Sequence, residues 1–173
     1  MLWVSSWKLC GVFALLLLLS ACVDKFELPE GWRTPNNVEL EDRWRNVDNN
    51  KYIKIWGDFN GDGTIDEARL LVRNNPSSLG LFAFVSQPNH SYKSYFLDEM
   101  KGNIAIHAMG IRIVASGIYK TACGKGYWKC SNGETPEIVI KNEAIDYFKT
   151  ESANSFFYWD SATNKFNRIW ISD

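Results

Sequence analysis

From Lys51 onward, the chain alternates between apolar and polar side chains over short stretches. The stretches with a period of two are KYIKIW (51–56), EARLLVR (67–73), NIAIHAM (103–109), IRIVAS (111–116) and EIVIKN (137–142), and GLFAFVS (80–86) is a fuller apolar run. A period of two is typical of β-strands. The sequence therefore predicts a mainly β fold of the α+β class: one antiparallel β-sheet domain, either a sandwich or an open barrel, with a short N-terminal helix.

Two further strands are predicted at the end of the chain. SFFYWD (155–160) and KFNRIWIS (165–172) are separated by SATN, a spacing that predicts a terminal hairpin. Four aromatic side chains are available for cross-strand packing in it: Phe156, Tyr158, Phe166 and Trp170. Just before the hairpin, NEAIDYFKTES (142–152) fits either a strand or a helical turn.

The predicted helix lies in NNVELEDRWRNVDNN (36–50), with Asn37 as its N-cap. A period of 3.6 residues separates two faces. One face carries Leu40, Trp44 and Val47, and the opposite face carries Val38, Glu41 and Arg45.

The N-terminus has the layout of a secretory leader. One basic residue, Lys8, precedes an apolar run that ends in small residues and is too short to span a bilayer comfortably. Leu19, Ser20, Ala21 and Cys22 resemble the bacterial lipoprotein box, which implies cleavage before Cys22 and lipidation of its thiol. An ordinary signal peptide cut after Ala21 is the alternative. Because Val23 rather than aspartate follows Cys22, the resemblance implies an outer-membrane anchor that faces the periplasm.

These features divide the chain into a signal peptide (1–21), a lipidated tether (22–37) that contains Pro29, Gly31 and Pro35, and a single β-rich globular domain (38–173). The whole chain has 19 basic and 20 acidic side chains, and loss of Lys8 with the leader changes the net charge from −1 to about −2. Such a balance gives no basic surface for nucleic acid. The predicted partners are the membrane, through the lipid anchor, and an envelope protein or a glycan.

Two cysteines belong to the predicted domain. Cys123 and Cys130 flank GKGYWK in an exported protein, which favours a disulfide. Closing a loop of this length stabilises the fold by about 2.5 kcal/mol on the loop-entropy model. Free thiols are the alternative. Zinc is disfavoured because no further cysteine or histidine pair supplies the remaining ligands.

The stretch DFNGDGTIDE (58–67) joins two predicted strands and places oxygen-bearing side chains at alternate positions. The pattern follows the first nine positions of an EF-hand loop, with Asp58, Asn60, Asp62, the Thr64 carbonyl and Asp66 as Ca²⁺ ligands. Position twelve is Arg69 instead of glutamate, so a true EF-hand is disfavoured. A polar hairpin turn with solvated aspartates is the alternative.

The wider stretch GDFNGDGTIDEARLLV (57–72) resembles the calcium loops of FG-GAP and VCBS repeats, which join two strands of a propeller blade. The resemblance implies the same five Ca²⁺ ligands. Since the loop occurs once and a propeller needs at least four blades, it does not extend to the fold. The whole chain is similar to small bacterial lipoproteins that pair this loop with a terminal WISD, a group that implies no activity.

Common catalytic signatures are missing from the sequence: there is no GxSxG, HExxH, P-loop or Rossmann glycine pattern. His107, in IAIHAM, is predicted to be an ordinary residue on a strand face. The composition favours a noncatalytic binding module of the inhibitor or immunity type, with structural calcium. The alternative is a calcium-dependent hydrolase or carbohydrate-binding envelope protein, which would need a cleft with perturbed carboxylates near Asp66 and Glu67.

Lipidation gives the first testable prediction. Replacing Cys22 with alanine removes the thiol that carries the lipid, so we expect the protein to leave the membrane fraction and to lose metabolic labelling with palmitate. Labelling that survives Cys22→Ala would contradict the predicted anchor.

Overall fold

The computed structural model describes residues 27–75, 77–102 and 105–173, so the predicted signal peptide (1–21) and Cys22 lie outside it. Two 3-10 helices span Val38–Leu40 and Arg43–Val47, and one helical turn, α1, spans Ala105–Ala108. The strands are β1 (Lys54–Gly57), β2 (Asp66–Asn74), β3 (Ser77–Ser86), β4 (Tyr92–Lys101), β5 (Met109–Val114), β6 (Gly117–Lys120), β7 (Glu137–Ile140), β8 (Ala144–Lys149), β9 (Asn154–Asp160) and β10 (Lys165–Ser172). No helix in these ranges is long and apolar enough to cross a bilayer.

The strands form two four-stranded antiparallel sheets. The first sheet has the order β1-β2-β3-β4, the second has the order β10-β9-β8-β5, and β6 and β7 form a separate hairpin. Strands β1 and β5 lie side by side where the two sheets meet, and the described residues form no closed barrel. The predicted mainly β, antiparallel fold is confirmed, and its sheets are arranged as a sandwich.

The main core lies between the inner faces of the two sheets. Its members are buried apolar side chains from both sheets, among them Phe59, Leu70, Leu81, Ile111, Ile145 and Phe157. Part of each outer face is also covered. The Tyr119 ring of the β6–β7 hairpin packs on Phe156, with 5.1 Å between ring centroids, and Trp32 packs on Phe82 at 5.0 Å. Contacts of the domain therefore begin before residue 38, within the segment 22–37 that was predicted to be a tether.

Most predicted strands are present. The stretches predicted around 51–56, 67–73, 80–86 and 137–142 contain β1, β2, β3 and β7, and the terminal hairpin is formed by β9 and β10. The ambiguous stretch 142–152 contains a strand, β8, which pairs with β5 and β9.

The aromatic side chains of the terminal hairpin do not share one face. Phe156 and Tyr158 lie with Ile169 on the face toward the β6–β7 hairpin. Phe166 is opposite Trp159 on the other face, with 5.2 Å between their rings. The register therefore divides the four aromatic residues named above into two sets, and Phe166 packs across the strands on Trp159.

Two strands, β4 and β6, were not predicted, and one predicted strand is absent. Strand β4 is largely polar and exposed at a sheet edge, and β6 is only four residues long, so neither has a clear apolar alternation. The stretch 103–109 was predicted as a strand, but residues 105–108 form the helical turn α1. The carbonyls of Ile106 and His107 accept hydrogen bonds from the side chains of Arg45 and Trp44 rather than from a strand.

The single helix predicted in 36–50 is replaced by the two 3-10 helices. Asn37 makes no side-chain capping bond. Instead Asn36 and Glu39 exchange hydrogen bonds: the Asn36 amide donates to Oε2 of Glu39, and Oδ1 of Asn36 accepts from the Glu39 amide. Extended backbone at Asp42 then separates the two helices.

Arg45 and Val47 were predicted on opposite helix faces. The Arg45 side chain is fully buried, whereas Val47 is 80% exposed. The Arg45 guanidinium donates to the carbonyls of Lys51, Ile106 and Met109. Burial lowers its pKa to about 10, so the side chain keeps its charge at neutral pH. A charge-assisted network of this kind satisfies carbonyls that the sheets leave unpaired.

Arg45→Ala should lower the free energy of unfolding by at least about 3 kcal/mol, because it removes the donor to two buried carbonyls and one partly buried carbonyl. Arg43 lies on the same 3-10 helix but is exposed, and Arg43→Ala should change stability by no more than about 0.5 kcal/mol. Urea unfolding of both variants makes the comparison. Equal losses in the two variants would contradict the stabilising role of the buried Arg45 hydrogen bonds.

Candidate metal site

The acidic loop connects β1 to β2, as its place between two predicted strands indicated. Asp58 lies at its centre. Oδ1 of Asp58 accepts the amides of Gly61 and Asp62 at 2.8 and 3.1 Å, and Oδ2 accepts the amide of Gly63 at 2.9 Å. Gly61 and Gly63 have φ values of +78° and +83°, a conformation that glycine adopts without steric cost. The loop therefore closes around one carboxylate.

The exposed part of the loop is ordered by Asn60 and Asp62. Nδ2 of Asn60 donates to Oδ2 of Asp62 at 2.8 Å, and Oδ1 of Asp62 accepts the Thr64 amide at 2.8 Å. The hydrogen bond from Asn60 and then that from Thr64 lower the pKa of Asp62. Asp62 is therefore ionised at neutral pH.

Asp66 differs from the other loop carboxylates because it is fully buried. Its Oδ2 accepts the Phe59 amide at 3.0 Å, and its Oδ1 accepts the Ser86 amide at 2.9 Å, at the end of β3. Burial raises the pKa of Asp66 to about 6, against the opposing effect of these amides. Asp66 thus ties the loop to β3 and ionises only at a cost.

Two residues that the sequence did not suggest hold the loop to the second sheet. Oε2 of Glu143 accepts the Asp58 amide at 2.8 Å, and Nδ2 of Asn142 donates to the Phe59 carbonyl at 3.3 Å. A Cβ on Gly61 would come within 2.7 Å of the Asn142 amide, so this packing requires glycine. The only sequence signal is a polar pair between β7 and β8, which has the composition of an ordinary turn.

The candidate ligand atoms of the loop suit a hard cation, since all are carboxylate, amide or carbonyl oxygens. Within the described ranges, however, no three acidic, histidine or cysteine side chains converge as metal ligands. Asp58 and Asp66 are bonded to backbone amides, although each carboxylate oxygen can accept more than one partner. The residues fit calcium by chemistry, and the loop carboxylates would have to turn toward the ion to complete a shell.

The structure contains the predicted disulfide, with the Cys123 and Cys130 sulfur atoms 2.04 Å apart. It closes the Gly-rich segment between β6 and β7. The hydroxyl of Thr121 donates to the Thr135 carbonyl at 2.6 Å and accepts the Gly124 amide at 3.2 Å. The segment is therefore fastened by both covalent and polar contacts.

Neither histidine side chain is hydrogen-bonded to a nucleophile in the described part of the chain, although His90 lines a shallow pocket with Thr64 and Ile65 of the acidic loop. His107 was expected on a strand face, but it lies on α1, and its Nδ1 is 3.1 Å from Oδ2 of Asp42 at the surface. His90 lies in the turn between β3 and β4. Neither is hydrogen-bonded to a serine or cysteine, so they give no support to a nucleophilic site.

Comparison with known protein families, with curated proteins and with solved structures finds no match to this chain.

Asp66 gives a pH-dependent prediction. Its raised pKa means that the folded state favours the protonated form, so its stabilising contribution is present below about pH 4 and is lost as the pH rises through about 6. Measured in chelator, the unfolding free energy of the parent protein should fall relative to Asp66→Asn by about 3 kcal/mol between pH 4 and pH 7. A difference that stays constant over this range would contradict the burial of an ionisable Asp66.

Proposed function

We propose that this protein is a noncatalytic binding module of the bacterial envelope. Lipid at Cys22 anchors it, in the outer membrane and facing the periplasm, and Ca²⁺ fastens the β1–β2 loop. The observation that carries the proposal is the loop built around Asp58, because its backbone is already closed on a carboxylate and attached to both sheets. Because the loop backbone is already closed, mainly the carboxylate side chains have to reorient when a cation binds, which limits the conformational freedom that is lost.

Electrostatics favour calcium in this loop. Three aspartates, Asp58, Asp62 and Asp66, lie within nine residues, and Asp62 adds to the cost of ionising the buried Asp66. A divalent cation would offset this repulsion and favour the ionised form of Asp66. Calcium outside the cytosol is abundant enough to fill sites with dissociation constants of about 10⁻⁴ to 10⁻³ M.

A binding role is supported by the outer face of the first sheet. Trp56, Phe96 and Tyr92 are 46%, 55% and 44% exposed on β1 and β4, and the charged side chains of Lys54 and Arg69 lie on the same sheet. Exposed aromatic residues among charges have the composition of protein-binding hot spots. The proposed partner is an envelope protein that the module inhibits or to which it confers immunity.

The hydrolase alternative gains no support from the acidic residues themselves. Asp66 has the raised pKa that such an enzyme needs, but it is fully buried and both of its oxygens accept amides. The Glu67 carboxylate accepts hydrogen bonds from Trp56 Nε1 and from Arg69 Nε. Neither carboxyl group is presented to a substrate.

Calcium should stabilise the folded protein, because the folded loop binds it better than the unfolded chain does. For a Kd of about 10⁻⁴ M and about 1 mM free Ca²⁺, the gain is roughly 1.4 kcal/mol, a rise in Tm of about 3 to 6 °C that chelator reverses. Asp62→Ala should abolish this rise while leaving a folded domain. Differential scanning calorimetry in calcium and in chelator gives both values.

Asp160 provides a matched control for Asp62. It is also an exposed turn aspartate, and it accepts the Ala162 amide at 2.9 Å and the Thr163 hydroxyl at 2.8 Å in the β9–β10 hairpin. Asp160→Ala should lower Tm without changing the calcium response. A parent protein, confirmed metal-free, whose Tm is the same in chelator and in about 5 mM Ca²⁺ would refute the calcium site.

A further inference from the structure

A cleft with a volume of about 460 Å³ lies away from the acidic loop. Its aromatic walls are Trp44, Tyr52 and Phe148, and its charged lining consists of two cations, Arg112 and Lys149, and one carboxylate, Glu151. The volume falls within the range of about 300 to 1,000 Å³ that is usual for small-molecule sites. The cleft is therefore large enough for one or two sugar rings.

The three aromatic rings form a preassembled wall. Trp44 and Tyr52 are stacked with 5.5 Å between centroids, and Phe148 meets them edge-on at 5.9 and 5.5 Å. Gly110 lies opposite Phe148 in the sheet, and a Cβ at that position would be 2.5 Å from the Phe148 ring. The glycine lets the ring lie across the neighbouring strand, so the wall is built into the register of β5 and β8.

A buried carboxylate orients the Arg112 guanidinium of the cleft. Nε of Arg112 donates to Oδ2 of Asp146 at 2.6 Å, and Asp146 is only 2% exposed. The other Asp146 oxygen accepts Nδ2 of Asn154 at 2.8 Å, and Oδ1 of Asn154 accepts the Ser172 hydroxyl at 2.6 Å. The Arg112 side chain is nevertheless 59% exposed. Its two terminal nitrogens form a fork suited to a carboxylate ligand.

The backbone around the cleft is strained at two non-glycine residues. Tyr52 and Glu151 have φ values of +57° and +55°, in the left-handed region, which is unusual for a bulky side chain such as tyrosine. The Tyr52 amide donates to Oδ1 of Asp48 at 3.1 Å, and its carbonyl accepts the Ile111 amide at 2.8 Å. Strain that the surrounding structure maintains in this way is concentrated at binding sites.

We propose that this cleft binds an acidic saccharide. The face of a sugar ring would stack on the aromatic wall, and a carboxylate on the ring would pair with Arg112 and Lys149. Two hydroxyl groups that can bond to sugar hydroxyls also line the cleft, those of Thr150 and Ser152. The inference goes beyond the proposed protein-binding function, because it adds a saccharide ligand at a different surface, and it requires neither calcium nor the lipid anchor.

The test compares three probes on the full chain purified in detergent. Glucuronic acid and glucose differ at C6, where one has a carboxylate and the other a hydroxymethyl group, and acetate supplies a carboxylate without the ring. By ligand-observed NMR titration, glucuronate should bind at least roughly tenfold more tightly than glucose or acetate, since it alone uses both the fork and the wall. Equal affinity for glucose would refute the anion site, and equal affinity for acetate would refute the saccharide.

Variants then assign the binding to the cleft. Arg112→Lys keeps the charge but loses the fork held by Asp146, and it should weaken glucuronate binding roughly tenfold. Lys149→Gln should weaken it by about threefold. Lys165→Gln makes the same charge change at an exposed lysine that does not line the cleft, and it should have no effect. Equal weakening by all three variants would place the binding elsewhere.

The calcium response of the same samples separates this inference from the proposed function. Arg112→Lys should retain the full rise in Tm with calcium, because Arg112 does not touch the β1–β2 loop. A calcium response without glucuronate binding would refute the saccharide cleft alone. Glucuronate binding without a calcium response would support the saccharide cleft and refute the calcium site in the β1–β2 loop.

Discussion

The guanidinium of Arg45 is the interaction on which the shape of this sandwich depends. A buried charge is tolerated only where hydrogen bonds replace its hydration, and Arg45 finds them at the carbonyls of Lys51, Ile106 and Met109. These carbonyls lie just before β1 and at the start of β5, the two strands that bring the sheets together. One side chain therefore connects the segment before β1 to the helical turn α1 and to the start of β5.

The same physical rule shapes both candidate sites. Asp66 is buried beneath the acidic loop and takes the amides of Phe59 and Ser86, which joins the loop to β3. Asp146 is buried beneath the aromatic cleft and fixes the guanidinium of Arg112 at its surface. In each site a desolvated carboxylate requires fixed donors, and those donors hold the exposed groups in place. In the cleft, the Arg112 guanidinium is thus positioned before any ligand arrives.

The sequence predicted what depends on local periodicity and missed what depends on distant partners. Strands β2 and β3 carry a strong apolar pattern, and the proposed calcium ligands of the loop were identified from the spacing of oxygen-bearing side chains. The run IAIHAM has an equally good strand pattern, but the Ile106 carbonyl accepts a hydrogen bond from Arg45. These two residues are 61 positions apart in the sequence. Likewise Glu143 meets the Asp58 amide across 85 residues, a contact that no local pattern indicates. Burial of Arg45 could not be predicted, because arginine is rarely buried without identified partners.

Calcium binding at the β1–β2 loop is tested most directly by crystals of the protein grown in about 5 mM Ca²⁺, above the Kd expected for an extracellular site. We expect a strong anomalous peak in the loop, with oxygens of Asp58, Asn60 and Asp62 and the Thr64 carbonyl at about 2.3 to 2.6 Å from the ion. Asp66 should then complete the shell directly or through a water molecule. An ordered loop with no peak, in which the Asp58 carboxylate still accepts only the amides of Gly61, Asp62 and Gly63, would contradict a calcium-binding role.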